Sequence, residues 1–165
     1  MSVSASLGAD SAVTQLPADV EAFLSTGRTA VLFCRDAGGR PIGYPMSVFR
    51  VMSGRLLFTT YTKSAKVAHL RRDPRATCVV TEPETTEPGT TEPGTVGRWI
   101  AVPGTVELHH PDDAEIDAYF AGRAQDPRVP DTVTASVKAR LRERKRVVLI
   151  LMPRDPSSIT VETRA

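Results

Sequence analysis

Cysteine is nearly missing from this chain: Cys34 and Cys78 are the only two in 165 residues. Two are too few for a disulfide framework, and no second pair supplies a metal site. Both sit in apolar, β-branched runs and read as buried thiols. Surplus charge is missing as well. Lys and Arg total 21 against 19 Asp and Glu, a formal charge of +2, which argues against a dedicated nucleic-acid binder. No apolar run approaches the roughly 20 residues that a bilayer-spanning helix needs, so no membrane partner is expected. The opening MSVSASLGADSAVTQ has neither the basic nor the apolar region of a signal peptide. Residues 1–15 are therefore expected to be a disordered tail of a cytoplasmic protein. There is no GxGxxG after a strand, no P-loop and no GxSxG, so the common nucleotide and nucleophile-elbow signatures are absent.

What is present is a strand-rich pattern over residues 16–165, long enough for one domain with a real core. LPADVEAFL (16–24) reads as a short helix with proline in its first turn. TAVLFCR (29–35) is a strand entering a turn at Asp36, Gly38 and Gly39. Residues 41–52 resume as strand, and Ser53-Gly54 turns into RLLFTTY (55–61), which suggests a three-strand meander. Pro45 lies inside the second run and marks an edge, a bulge or a ligand-facing kink, because it cannot donate to a ladder. Residues 64–72 form a helix with Val67 and Leu70 on one face and Ser64 as N-cap. Asp73-Pro74 stops it, and a strand follows at 76–81.

Residues 82–95 differ in kind. TTEPG recurs at five-residue spacing without an apolar residue, so an extended acidic loop is expected. RWIAVPGTVELH (98–109) is a strand, with Pro103-Gly104 marking a bulge or bend. Helices are expected at 111–121 and 131–143, a buried strand at 146–152 and a last short strand at 158–162. Six or seven mostly antiparallel strands with helices between them describe a small β-barrel of α+β type.

For chemistry, the informative stretch is 55–80. A strand ending in Thr59, Thr60 and Thr62 runs into a helix start bearing Ser64 and Lys66. Helix-start amides, the positive end of the helix dipole and an ammonium together suit an anion. The same residues equally describe a helix cap beside a solvated lysine. His109 and His110 are adjacent on a strand and so point to opposite faces, which places them poorly for a shared metal; no metal is expected. His69 reads as solvated. The basic run Lys138 to Arg146 reads first as cations collected at a helix C-terminus.

The segments GYPMSVFRV, RLLFTTYTKSAKVAHLRRDPRATCVV, RWIAVPGTVEL and RVVLILMP resemble the flavin-binding split β-barrel superfamily. It includes pyridoxamine-phosphate oxidase and the actinobacterial F420-dependent reductases. In that family a strand ending in Thr or Ser is followed by Ser-x-Lys, a helix and Asn/Asp-Pro, here Phe58-Thr59-Thr60, Ser64-Ala65-Lys66 and Asp73-Pro74. The resemblance implies that Lys66 and Ser64 bind a cofactor phosphate and that Thr59 and Thr60 contact the phosphate or ribityl chain. The strand Tyr44 to Val48, with Pro45, Met46, Ser47 and Val48, would run along the cofactor ring. Trp99 stands where related oxidases have a glutamine near the ring. A homodimer with its site at the interface is implied too, acting on a small-molecule substrate.

The C-terminal PSSITVETRA lacks the tryptophan of the vitamin B6 oxidases. The RRDPR segment looks closest to the F420 group, its arginines 71, 72 and 75, together with Arg98, being available to that cofactor's acidic tail. The expected cofactor is therefore F420, with FMN as the alternative. The expected activity is hydride transfer to an unsaturated acceptor, with Tyr44 or Tyr61 as proton donors if they line the pocket. Two other readings stay open: a non-catalytic flavin, deazaflavin or haem carrier, and weak anion or nucleic-acid contact through residues 138–146.

Overall fold

The computed structural model describes residues 15–25, 29–82, 98–122 and 130–162. Helix α1 spans Ala18–Leu24 and is followed by strands β1 (Thr29–Arg35), β2 (Pro41–Ser47), β3 (Arg50–Met52) and β4 (Arg55–Tyr61). After α2 (Ala65–Arg72) come β5 (Arg75–Thr81) and β6 (Trp99–His109). Helices α3 (Asp113–Phe120) and α4 (Asp131–Arg142) then precede β7 (Arg146–Pro153) and, past a 3-10 turn, β8 (Thr160–Glu162). The tail 1–14 and the TTEPG segment beyond Glu82 lie outside the described residues.

The strands form one antiparallel sheet in the order β2-β1-β5-β6-β7-β4-β3, with β8 added to β6. This is the split barrel with inserted helices that the sequence leads one to expect, and its strand count reaches eight for one reason. The run 41–52 is cut at Val48-Phe49, and its halves go to opposite ends of the sheet order. The expected meander is thus two hairpins, β1–β2 and β3–β4. Phe49 still donates its N–H to the Leu57 carbonyl, so the chain crosses from one edge to the other within two residues.

At Pro103-Gly104 the ladder with β5 continues without a bulge, Thr77 facing Pro103 and Ala76 facing Gly104. From Gly104 onward β6 also pairs with β7. The glycine is required by that second approach: a Cβ there would sit 2.1 Å from the Met152 carbonyl oxygen.

Two cores result. Alternate residues of β1, β4, β5, β6 and β7 point inward with α1 and α2, placing Leu32, Phe58, Cys78, Ile100 and Leu149 in the barrel interior. The outer face of β4 and β7 is covered by α3 and α4, which bury Leu57, Val148, Ile116 and Leu141. Each such side chain contributes about 1.5–3 kcal/mol of burial. Helix α3 starts with a capping box between Asp112 and Glu115, the latter also meeting His109 Nε2 at 3.0 Å. Lys138 and Arg142 of α4 pair with Asp117 and Asp113 of α3, so much of the basic run clips helix to helix. Among the described residues no group of three His, Cys, Asp or Glu side chains gathers to hold a metal.

Two predictions follow from this packing. Gly104→Ala should lower stability by about 1–3 kcal/mol or more, the usual cost of overpacking; an unchanged urea midpoint would contradict the close approach. Cys78 is fully buried, and desolvation pushes its thiol up to about 12, so at pH 8 it stays protonated and unreactive. Cys34 is buried too, with its thiol shifted in the same direction. Neither should react with a disulfide reagent at pH 8 until denaturant is added, and rapid titration of two thiols in the native protein would count against this packing.

Candidate functional site

A cavity of about 530 Å³ opens where the two ends of the sheet order approach each other. Its first wall is β2 and the residue that leaves it: Pro45, Met46, Ser47 and Phe49. Pro45 tolerates this place because β2 is an edge strand, where a missing donor costs no ladder bond. The floor is the end of β4, Thr59 and Thr60, joined by Lys66 from α2 and Arg146 from β7. The last wall is apolar, with Phe120 of α3 and Val133, Thr134 and Val137 of α4. Phe49 and Phe120 pack with ring centroids 5.1 Å apart.

The polar end is built from register. Tyr61 faces Arg146 across the β4–β7 ladder, and Thr59 faces Val148. Arg146 donates from one terminal nitrogen toward the Thr59 carbonyl and Oγ1, at 3.4 and 3.3 Å, and its guanidinium lies 4.6 Å from the Tyr61 ring centroid. Its Nε is buried without a partner. Desolvation shifts the Arg146 pKa downward, although a guanidinium stays charged throughout the working range. Thr60 is 5% exposed, and its Oγ1 accepts from Lys66 Nζ at 3.3 Å. That ammonium also lies 5.0 Å from the Tyr44 ring centroid.

Ser64 occupies the N-cap position of α2, yet its side chain makes no capping bond. Its Oγ is buried and unpartnered, in contrast to the capping role expected of it. Ser64 does not itself line the cavity, although it stands two residues before Lys66. The helix begins with backbone amides that have no intrahelical acceptor, so α2 presents its positive end beside the Lys66 charge.

Of the residues singled out in the sequence, Pro45, Met46, Ser47, Thr59, Thr60 and Lys66 meet at this cavity. Val48 does not: it turns into the barrel core at 2% exposure, and Phe49 takes its place on the wall. Trp99 lies at the far start of β6, opposite Thr81 and Glu162, and does not line the cavity of its own chain. Tyr44 is packed against the core and tilts on His69, with centroids 6.3 Å apart, so His69 is not simply solvated. Tyr61 is held under Arg140 and Arg146, Arg140 donating to its hydroxyl. Neither tyrosine lines the cavity. Among the arginines expected near an acidic cofactor tail, Arg98 is tied to Asp19 at 2.6 Å. Arg75 is tied to Asp73 at 2.8 Å, and Arg72 leans toward the Arg35 carbonyl.

Phe49, Phe120 and the α4 residues were not legible as site residues, and Arg146 stood out only within the basic run 138–146, where a weak anion contact was one reading. There it is the charge that opens the apolar strand RVVLILMP. Its value appears only when register sets it beside Thr59.

Solved structures with the same fold include a conserved hypothetical protein of Mycobacterium tuberculosis. It is 21% identical, aligned over 94% of this chain and 90% of that one, with a TM-score of 0.63. An F420 reductase is 21% identical over 88% and 98% of the two chains, TM-score 0.55. The heme storage protein HutZ of Vibrio cholerae is 13% identical over 91% and 95%, TM-score 0.58. Similarity at these identities is similarity of fold. No curated protein matches the chain. The sequence pattern of the pyridoxamine 5'-phosphate oxidase family matches residues 16–146, most of the sheet and every residue of the polar floor, and the chain belongs to that family.

Proposed function

We propose that the protein is an oxidoreductase that uses the deazaflavin F420 to transfer hydride to an unsaturated small-molecule acceptor. One observation carries the reading: two cations, Lys66 and Arg146, and two hydroxyls, Thr59 and Thr60, share one cavity floor. A phosphate suits this set, because Arg146 has a buried Nε with no acceptor. A buried donor left unmade costs about 1–3 kcal/mol, and an anionic oxygen would relieve it. The buried Ser64 Oγ is also unpartnered, but it does not line the cavity and is not assigned to the phosphate. When bound, the cofactor supplies the hydride chemistry.

The chain's own residues bind, orient and shield. Lys66, Arg146, Thr59 and Thr60 hold the phosphate end. The backbone and side chains of Pro45 to Ser47 border the ring, and Phe49, Phe120, Val133 and Val137 give it a dry wall. Arg140 and Arg146, both stacked on Tyr61, extend positive charge past the phosphate end. This favours a cofactor with further acidic groups over FMN, and the fold likeness to an F420 reductase agrees. We further propose a homodimer formed on the outer face of β1, β5 and β6. There Val31, Val79 and Ala101 share a row by register and remain partly exposed.

A second reading rests on a specific feature of the cavity. Among the described residues, Lys66 and Arg146 are its only ionisable lining residues, so no described proton donor of ordinary acidity faces it. That suits a carrier of a flavin, a deazaflavin or a haem as well as an enzyme whose acceptor takes its proton from water. Mixing the protein with reduced F420 and a panel of enones and quinones separates the two. Tight cofactor binding with no oxidation by any acceptor selects the carrier.

Parallel titrations with F420 and FMN test the cofactor directly, and F420 is expected to bind more tightly. Lys66→Ala and Arg146→Ala should each weaken binding by about 10- to 100-fold, since a charge-assisted contact is worth roughly 1.5–3 kcal/mol. Unchanged affinity in both variants would remove the phosphate assignment.

A further inference from the structure

We propose that the ring face of Tyr44 positions Lys66, holding its ammonium at the cavity floor before any ligand arrives. The proposal deepens the phosphate assignment above and rests on it. Tyr44 does not line the cavity, so it acts only through the lysine.

Register puts Tyr44 where it can do this. It faces Leu32 across the β1–β2 ladder, and Leu32 is fully buried, so Tyr44 shares the inward face of the sheet. Its neighbours on β2, Gly43 and Pro45, are exposed on the other face. Helix α2 lies over the inward face. Lys66, His69 and Arg72 stand three residues apart and form one row along it. Lys66 Nζ is 5.0 Å from the Tyr44 ring centroid, and the His69 ring is 6.3 Å from it, tilted by 32°. Arg72 donates toward His69 Nδ1 at 3.3 Å and toward the Arg35 carbonyl at 3.4 Å. The row thus seats α2 on β2 and β1, with Tyr44 under two of its three members.

The lysine meets the ring and not a phenolate. Desolvation shifts the Tyr44 pKa upward, so the hydroxyl is uncharged through the working range. A cation within about 6 Å of a ring centroid is attracted by the ring's quadrupole. Lys66 needs such a constraint, because its ammonium rides on a flexible four-carbon stem. Its hydrogen bond to a described residue is the one to Thr60 Oγ1, at 3.3 Å. Ring and hydroxyl together hold the charge and leave two of its three N–H donors for an anion. Arg146 is held by a pair of the same kind, the Thr59 hydroxyl at 3.3 Å and the Tyr61 ring at 4.6 Å. Each floor cation therefore has one threonine of β4 and one tyrosine ring. Ordering both charges in advance removes a cost that the ligand would otherwise meet.

The test is titration of the full chain with F420 and with FMN, in Tyr44→Phe, Tyr44→Leu, Lys66→Ala and the Tyr44→Leu/Lys66→Ala double variant. Tyr44→Leu should weaken binding about 3- to 30-fold. Tyr44→Phe keeps the ring and should recover most of that loss. In the Lys66→Ala background Tyr44→Leu should add nothing. An equal effect of Tyr44→Leu in both backgrounds would mean that it acts through the barrel core, and would overturn the proposal. So would a loss with Tyr44→Phe as large as with Tyr44→Leu. A second readout needs no ligand. By NMR the Lys66 ε-methylene protons should be shifted upfield by the ring in the native chain and in Tyr44→Phe, but not in Tyr44→Leu. No such shift in the native chain would overturn the contact. Native affinity in Lys66→Ala with the ring shift intact would instead remove the phosphate assignment, and the positioning role with it.

Discussion

A strand can share its hydrogen bonds with two neighbours at most, and the run from Pro41 to Met52 meets that limit by dividing. Up to Ser47 it pairs with β1, and from Arg50 it pairs with β4, the two hairpins standing at opposite ends of the sheet order. Only a strongly curled sheet permits this, because two residues reach no more than about 7 Å. The curl brings Pro45 to Ser47 near Thr59 and Thr60, and no hydrogen-bonded ladder closes the gap. The open seam is the cavity floored by Thr59, Thr60, Lys66 and Arg146. Everything else about the site, including the helical wall from α3 and α4, is arranged around that division.

The electrostatics of the seam follow from the same geometry. Lys66 arrives from the first turn of α2 and Arg146 from the first residue of β7, two segments 80 residues apart in sequence. Like charges so near a buried threonine are unfavourable alone. They are tolerated because Thr59, Thr60 and the rings of Tyr44 and Tyr61 take up their donors and faces.

Apolar, β-branched runs were enough to reveal the strands, and burial in β5 alternates cleanly from Arg75 to Thr81. Punctuation by Asp73-Pro74 and Ser53-Gly54 fixed the joints. The split at Val48-Phe49 was not legible, because two apolar residues inside an apolar run carry no turn signal. With that split hidden, Val48 read as a wall residue and Phe49 did not. The hydroxyl and lysine cluster was visible because it is local, spanning Thr59 to Lys66. Arg146 depends on strand order, which no local pattern encodes. Ser64 had the right position for a cap, but its side chain turned away from the helix amides. The expected bulge at Pro103-Gly104 was a fair reading of a glycine that instead answers a close approach by Met152.

The prolines of β2 have a consequence for how the protein behaves among its own copies. Proline has no N–H, so Pro41 and Pro45, four residues apart and of the same parity, sit where the donor would point away from β1. Of the four outward positions 41, 43, 45 and 47, only Gly43 and Ser47 retain a donor. The exposed border of the sheet is therefore a poor template for an incoming strand. The chain keeps an unzipped barrel margin without offering that margin to aggregation.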